Sequence, residues 1–320
     1  MKYKEMTSTI NKTKRLILKL TVLSLLSIHF GCEDEITPNL DDAPSVMVVD
    51  AWLTNQEGPQ TIRLTMSQPY FNNSQLVGVQ NAVVSVIDNE NNEFTFAEQE
   101  NGEYVWQPFN GEALGEIGNA FTLRVEHDGE TYEASSVMNR VPPIDSVTFT
   151  FEEAEFGFPD RYSASFWARD PEGLGDTYWI KTYKNGEFLS KPSELVIAFD
   201  AGFRGGNTDG LIFIPPIREA INPLDEDGDG GFLAPYANND SVYVELHSIT
   251  EEAYQFLTEV QIQTNRPGGF AELFSQPLSN VPSNIRNMTT GSNKKVVGFF
   301  NVAAVSGNGT RLDTSQISRN

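Results

Sequence analysis

The chain has 320 residues and a formal net charge of −22, from 44 acidic and 22 basic residues. This balance argues against nucleic acid as a partner, because phosphate binding draws on clustered lysine and arginine. The single cysteine, Cys32, excludes an internal disulfide, so a folded body of this size must be stabilised by its hydrophobic core alone. Aromatic residues make up 11% of the chain, which favours packed β-structure.

Residues 1–31 have the layout of a lipoprotein signal peptide. A basic start precedes an apolar run over 16–30, which is shorter than the roughly twenty residues of a membrane-spanning helix. We expect cleavage directly before Cys32 and acyl chains on that cysteine, which would anchor the protein to a membrane. The alternative is an ordinary secretion signal or an uncleaved anchor, since His29 and Phe30 stand where lipoproteins favour leucine and a small residue.

The chain after Cys32 begins with an acidic tether over 32–44, which has few core residues. From 45 to 141, short runs of alternating apolar residues are separated by turn residues, which predicts an immunoglobulin-like or related β-sandwich. Its clearest hairpin turns at Asp128-Gly129, a dipeptide that readily adopts a type I′ turn. Further strands are predicted over 46–53, 61–66 and 82–87.

The Pro142-Pro143 pair interrupts any strand ladder and marks a domain boundary. A second β domain is predicted over 142–310, followed by a frayed polar tail over 311–320 that begins to loosen after residue 306. This domain contains one amphipathic helix near 250–262, because Thr250 can cap it and apolar residues recur at helical spacing. A second hairpin turns at Asn185-Gly186.

The segment 201–240 is rich in Gly, Asn, Asp and Pro, which is typical of a functional loop or a disordered one. Within it, Asp225, Asp227 and Asp229 place carboxylates at alternating positions, as the first half of an EF-hand calcium loop does. The glutamate expected at position twelve is Tyr236 here. The sequence therefore predicts weak calcium binding, with a solvated acidic turn as the alternative.

The remaining side chains favour binding over catalysis. His127 and His247 belong to no HExxH pattern, and the sequence has no GxSxG elbow, P-loop or CxxC motif. We therefore expect that the protein is not an enzyme. Tyr70 and Phe71 follow a proline and precede two asparagines, so these aromatic residues are predicted to lie on a loop and to contact a ligand or partner, with a core role as the alternative.

Short motifs in a fixed order along the chain resemble a family of Bacteroidota outer-membrane lipoproteins, domain of unknown function 4249, that is often encoded beside TonB-dependent receptors. The motifs are Val48-Val49-Asp50-Ala51-Trp52-Leu53, Asn81-Ala82-Val83-Val84, Asn101-Gly102-Glu103-Tyr104, Tyr132-Glu133-Ala134, Pro143-Ile144-Asp145-Ser146-Val147, Thr177-Tyr178-Trp179, Val242-Tyr243-Val244-Glu245, Pro282-Ser283-Asn284-Ile285 and Val297-Gly298-Phe299-Phe300. The resemblance implies a lipid-anchored, β-rich accessory of an import receptor and carries over no catalytic residue.

The expected function is therefore non-catalytic. The protein would sit on the outer membrane, at the cell surface, and capture or present a nutrient, a small molecule or polymer, for a TonB-dependent transporter. A structural or adhesive surface lipoprotein without a transport partner is the alternative. A hydrolase of surface polymers is the third candidate, and it would need two facing carboxylates in a cleft.

Overall fold

The computed structural model describes residues 44–69, 72, 74–109 and 111–319, and the chain from Pro44 onward forms one compact unit. The predicted mainly β fold is confirmed. Within the described residues, no helix combines the length and apolar content needed to cross a bilayer. Cys32, Tyr70 and Phe71 lie outside the described residues.

Strands dominate the described chain. In chain order they are β1 (Met47–Thr54), β2 (Gln60–Met66), β3 (Val77–Gly78), β4 (Val83–Asp88), β5 (Glu93–Glu98), β6 (Glu103–Trp106), β7 (Ala120–His127), β8 (Glu130–Val137), β9 (Ile144–Glu152), β10 (Arg161–Ala168), β11 (Thr177–Lys184), β12 (Glu187–Phe188), β13 (Val196–Phe199), β14 (Ser241–Ile249), β15 (Arg286–Asn287), β16 (Val296–Ala303) and β17 (Val305–Arg311). The helical elements are a short helix Pro215–Arg218, a long helix Glu251–Thr264, and the 3-10 turns Glu100–Gly102, Pro192–Glu194 and Gly269–Phe274.

The first sheet runs in the order β15-β8-β7-β4-β5-β6-β2-β1-β16, with β3 paired to β2. It curls over one core, because the Val302 amide of β16 donates to the Ser136 hydroxyl of β8 at 3.0 Å. Phe121, Leu123 and Val125 of β7 are fully buried in that core. The sandwich expected for this part of the chain is thus a single sheet that folds back on itself.

Both predicted hairpins are confirmed. Asp128 and Gly129 join β7 to β8 with φ values of 50° and 75°, the positive values that a type I′ turn requires. Asn185 and Gly186 join β11 to β12 in the same way. Turn chemistry that is encoded in two adjacent residues was therefore readable from the sequence.

The second core lies between a β9–β10 hairpin and a five-stranded sheet in the order β12-β11-β14-β17, with β13 also paired to β11. The segment 201–240 packs over this core, and Phe213, Ile217 and Tyr236 are buried there. The Tyr236 hydroxyl donates to the Ile221 carbonyl at 2.6 Å. Apolar residues spaced among the glycines and prolines thus give this segment a packing role, although most of it has no regular structure.

The frayed tail predicted after residue 306 is wrong. Residues Val305–Arg311 form β17, which pairs antiparallel with β14 along its length, and Leu312 is fully buried. Backbone hydrogen bonds to β14, rather than apolar side chains, hold β17 in the sheet. Its sequence is therefore polar and shows no strand pattern.

The first sheet contains strands from both sides of residue 142. β9 begins the second sheet system directly after the Pro142-Pro143 pair. However, β15 and β16 return to the first sheet from near the C-terminal end. Whether the two parts fold as separate domains stays a prediction.

The long helix links the two sheets. Thr250 caps it as predicted, because its hydroxyl accepts a hydrogen bond from the Ala253 amide at 3.2 Å. The buried face packs in a third cluster against side chains of both sheets. That cluster includes Trp52, Trp179, Ile197, Ile249, Ala253, Tyr254, Leu257 and Phe299.

We predict that Gly298→Ala destabilises the protein far more than the matched control Gly58→Ala. Both glycines have a strongly positive φ, 108° and 117°, where a side chain costs of order 1–3 kcal/mol. Only at Gly298 would the added carbon overlap the Val49 carbonyl of β1, whereas Gly58 faces open space. Urea denaturation would measure both free energies of unfolding, and equal losses would contradict the close approach of β16 to β1.

We also predict a pH dependence that comes from Asp170, which is 1% exposed. Its carboxyl accepts hydrogen bonds from the Tyr178 hydroxyl at 2.7 Å and the Gly210 amide at 3.2 Å. Burial raises the pKa of Asp170 to about 6 from 3.8. The folded state therefore holds this proton more tightly than the unfolded state, and the free energy of unfolding should fall as pH rises from about 4 to 6, on the order of 1–3 kcal/mol.

Asp170→Asn removes this titration. As pH rises from about 4 to 6, the unfolding free energy of the variant should increase relative to that of the wild type. Taking the difference between the two proteins cancels the titration of the other carboxylates. Parallel pH profiles for the two proteins would contradict the assignment.

Candidate functional site

A groove of about 890 Å³ lies between the long helix and the edge of the first sheet. Its volume falls within the range of about 300–1,000 Å³ that is usual for small-ligand sites. One wall is the helix, the other is β8 together with the segment around β15, and Phe299 of β16 lies between them. The lining residues from the helix are Glu252, Tyr254, Gln255, Phe256, Thr258 and Glu259.

The floor of the groove is aromatic. Phe256 of the helix and Phe299 of β16 have ring centroids 4.6 Å apart, and Trp52 stacks on Phe299 at 5.6 Å. Tyr254 makes an edge contact with Phe199 at 5.7 Å. Phe299 and Tyr254 are buried, so the floor is part of the third core cluster and keeps a fixed shape.

The wall opposite the helix is held by side-chain amides. The Asn284 amide donates to the Phe300 carbonyl at 2.8 Å and accepts from the Phe300 amide at 3.0 Å, as a neighbouring strand would. Asn287 donates to the Glu130 carboxylate at 2.9 Å. Hydrogen bonds from Ser292 and Asn287 hold the pKa of Glu130 below its usual range. These bonds tie the segment around β15 to β8 and β16.

The rim of the groove carries both signs of charge. Glu133 of β8 and Arg286 of β15 are cross-strand neighbours, and Arg204 forms an ion pair with Glu251 at the first turn of the helix. Glu252 and Glu259 add two further acids. An apolar floor with a rim of donors and acceptors suits a ligand that is partly apolar and carries polar groups at its edges.

The predicted calcium residues do not line this groove. Asp225 forms an ion pair with Lys191, and one oxygen of Asp227 accepts from the Asp229 and Gly231 amides at 2.8 and 2.9 Å. These backbone hydrogen bonds lower the pKa of Asp227. Among the described residues, no group of three or more His, Cys, Asp or Glu side chains is placed to hold a metal ion. Calcium binding stays a prediction, and it would require Asp225 to leave Lys191.

The two histidines have local partners. His247 lies on the same face of β14 as Glu245, and its Nε2 lies 2.9 Å from the Glu245 carboxylate. Burial lowers the pKa of His247. His127 contacts the Asp128 carboxylate of the adjacent turn at 3.5 Å.

The groove itself was not predicted. Its residues come from distant parts of the chain, and no local pattern singles out Gln255, Arg204 or Met288. A usable signal did exist, because three of the family-like motifs meet at the groove. These are Tyr132-Glu133-Ala134, Pro282-Ser283-Asn284-Ile285 and Val297-Gly298-Phe299-Phe300.

Fold and site together define a mainly β protein with an aromatic-floored groove beside the helix Glu251–Thr264. The family described as Domain of unknown function (DUF4249) matches residues 33–308, so the chain belongs to that family. No curated protein matches the sequence significantly. A crystal structure of bovine butyrophilin is similar at 11% identity and a TM-score of 0.18, over 63% of this chain and 92% of that one. A likeness this weak carries no argument about function.

Proposed function

We propose that this protein is a non-catalytic, lipid-anchored protein of the outer membrane that captures a ligand in the groove. It would present this ligand to a TonB-dependent transporter at the cell surface of a Bacteroidota bacterium. The groove carries the proposal, because a preformed concave site with an apolar floor and a polar rim is the usual form of a small-ligand site. A small molecule, or the end of a polymer, would fit its volume of about 890 Å³.

The fixed floor supports capture over adhesion. Phe256, Phe299 and Trp52 pack against one another, so little ordering is needed when a ligand binds, and preorganisation favours affinity. An adhesive protein would need an extended contact surface instead of a recess. The structural or adhesive role is therefore the second candidate, and it becomes the preferred one if the groove holds no ligand.

We predict that Gln255→Trp prevents ligand binding in the groove, whereas Thr264→Trp does not. Both positions are exposed on the long helix, but only Gln255 lines the groove. A tryptophan at 255 would occupy part of the cavity, whereas one at 264 would point away from it. Native mass spectrometry of the full-length protein, purified from its own membrane, should detect a bound small molecule in the wild type and in Thr264→Trp only. Absence of a bound molecule from all three proteins would favour the adhesive role.

We predict that Cys32→Ala abolishes acyl labelling and leaves the precursor uncleaved or releases a soluble product. The lone cysteine ends a signal-like segment, and lipidation at this thiol is the proposed attachment. Metabolic labelling with a fatty acid analogue measures the modification. Persistent label in the variant would contradict lipidation at this residue.

The receptor and the surface location have a separate test. Protease added to intact cells should degrade the protein while periplasmic markers survive, and crosslinking in the same cells should trap it on an outer-membrane barrel. Full protection would reject the surface location. Loss of every barrel partner, with the groove ligand still bound, would reject only the transport role.

A further inference from the structure

The outer face of the five-stranded sheet carries a row of three aromatic rings. Tyr183 of β11 pairs across the ladder with Phe188 of β12 on one side and with Tyr243 of β14 on the other. The ring centroids are 5.4 and 6.2 Å apart. Phe188 and Tyr243 are each 42% exposed. We call these three residues the aromatic row. The alternate residues of β11 and β14 fill the second core, and none of the three rings belongs to any of the three core clusters.

Two glycines leave room for the Tyr243 ring beside β17. Gly307 and Gly309 of β17 are the ladder neighbours of Glu245 and Tyr243. A side chain at Gly307 would overlap the Tyr243 hydroxyl, and one at Gly309 would come within 2.9 Å of the ring carbon Cδ2. The ring therefore lies close over the backbone of the edge strand, and 42% of Tyr243 is still exposed. This is a rigid aromatic surface that burial does not explain.

A polar row runs directly beside the aromatic one. Lys181 and Glu245 face each other across the ladder, one pair along from Tyr183 and Tyr243. The Glu245 carboxylate accepts from the Tyr183 hydroxyl at 3.2 Å and from the Gln56 amide at 3.2 Å, which fixes the Tyr183 ring. The Lys181 ammonium lies 4.0 Å from the Trp179 ring centroid and 5.9 Å from that of Phe188. A lysine, a carboxylate and a side-chain amide therefore lie along one edge of the aromatic surface.

We infer that the aromatic row is a binding site for a neutral oligosaccharide. A pyranose has an apolar face of C–H groups and an edge of hydroxyls, so it can stack on a ring while its hydroxyls meet Lys181 and Gln56. Three adjacent rings would hold consecutive sugar units. The chain's net charge of −22 repels acidic polysaccharides and nucleic acid, which leaves a neutral glycan as the complementary planar-faced polymer.

This site is independent of the groove. The aromatic row belongs to β11, β12 and β14, whereas the groove is formed by the long helix, β8, the segment around β15 and Phe299. The two sites share no residue. Loss of one function therefore leaves the other measurable, and the glycan inference does not depend on the proposed groove ligand.

The test is affinity electrophoresis of the full-length protein through gels that contain soluble neutral glycans, namely β-glucan, xylan and mannan, with polygalacturonate as the acidic comparison. The wild type should be retarded by at least one neutral glycan. Tyr243→Ala and Phe188→Ala should each weaken that retardation, on the order of tenfold in affinity for loss of one stacking ring. Phe156→Ala is the matched control, because Phe156 is 88% exposed and lies outside the row.

Tyr243→Phe keeps the ring and should keep the retardation, which separates stacking from any loss of stability in Tyr243→Ala. Gln255→Trp should also bind glycan normally. No retardation by any neutral glycan, retardation by polygalacturonate alone, or undiminished retardation of both alanine variants would each overturn the inference. If Tyr243→Ala and Phe188→Ala abolish crosslinking to a barrel partner while no glycan binds, the row is a protein contact and the inference is wrong.

Discussion

The parallel pairing of β1 with β16 is the constraint on which the rest of the molecule depends. It joins Met47–Thr54 to Val296–Ala303, almost at opposite ends of the described chain. Bringing such distant segments together costs loop-closure entropy, which burial in a common core must offset. The same pairing places Phe299 beneath the long helix and carries the chain on into β17, so the groove floor and the glycine-bearing edge beside Tyr243 both follow from it.

The chain passes from the first sheet to the five-stranded sheet at Ala304, and a small network of hydrogen bonds holds the backbone in place there. The Ser248 hydroxyl accepts from the Ala304 amide at 2.9 Å and donates to the Asn139 carbonyl at 2.8 Å. Asn301 accepts from the Thr250 amide at 3.1 Å, directly before the long helix. Trp52 of β1 and Trp179 of β11 meet edge to face at 5.1 Å. These hydrogen bonds and one aromatic contact thus fix how the two sheets meet, and such defined polar contacts add to the specificity of the fold.

Turns and helix caps could be predicted from the sequence, whereas the pairing of strands that are distant in the chain could not. The Asp128-Gly129 and Asn185-Gly186 turns and the Thr250 cap each depend on a few neighbouring residues, so their sequence signals are complete. The return of β16 to the first sheet depends on a partner about 250 residues earlier. An alternating apolar pattern shows which face of a strand is buried, but it does not specify which strand pairs with it. β17 lacked even the apolar pattern. The groove was missed for the same reason, since Asn284 and Phe256 become neighbours of one cavity only after β16 is in place.

Each candidate surface includes at least one residue that is held in place by contacts within the fold, and this limits where specificity can reside. Phe256 and Phe299 belong to the third core cluster, so a change of ligand preference at the floor would cost stability. The groove rim is free of that constraint, because Glu252, Gln255 and Arg286 are exposed. In the aromatic row, Tyr183 is tied to Glu245, whereas Phe188 lies on a two-residue edge strand. Related chains with the same fold can therefore differ in ligand by changing rim and edge residues alone, while the floor and the sheet that carry them stay the same.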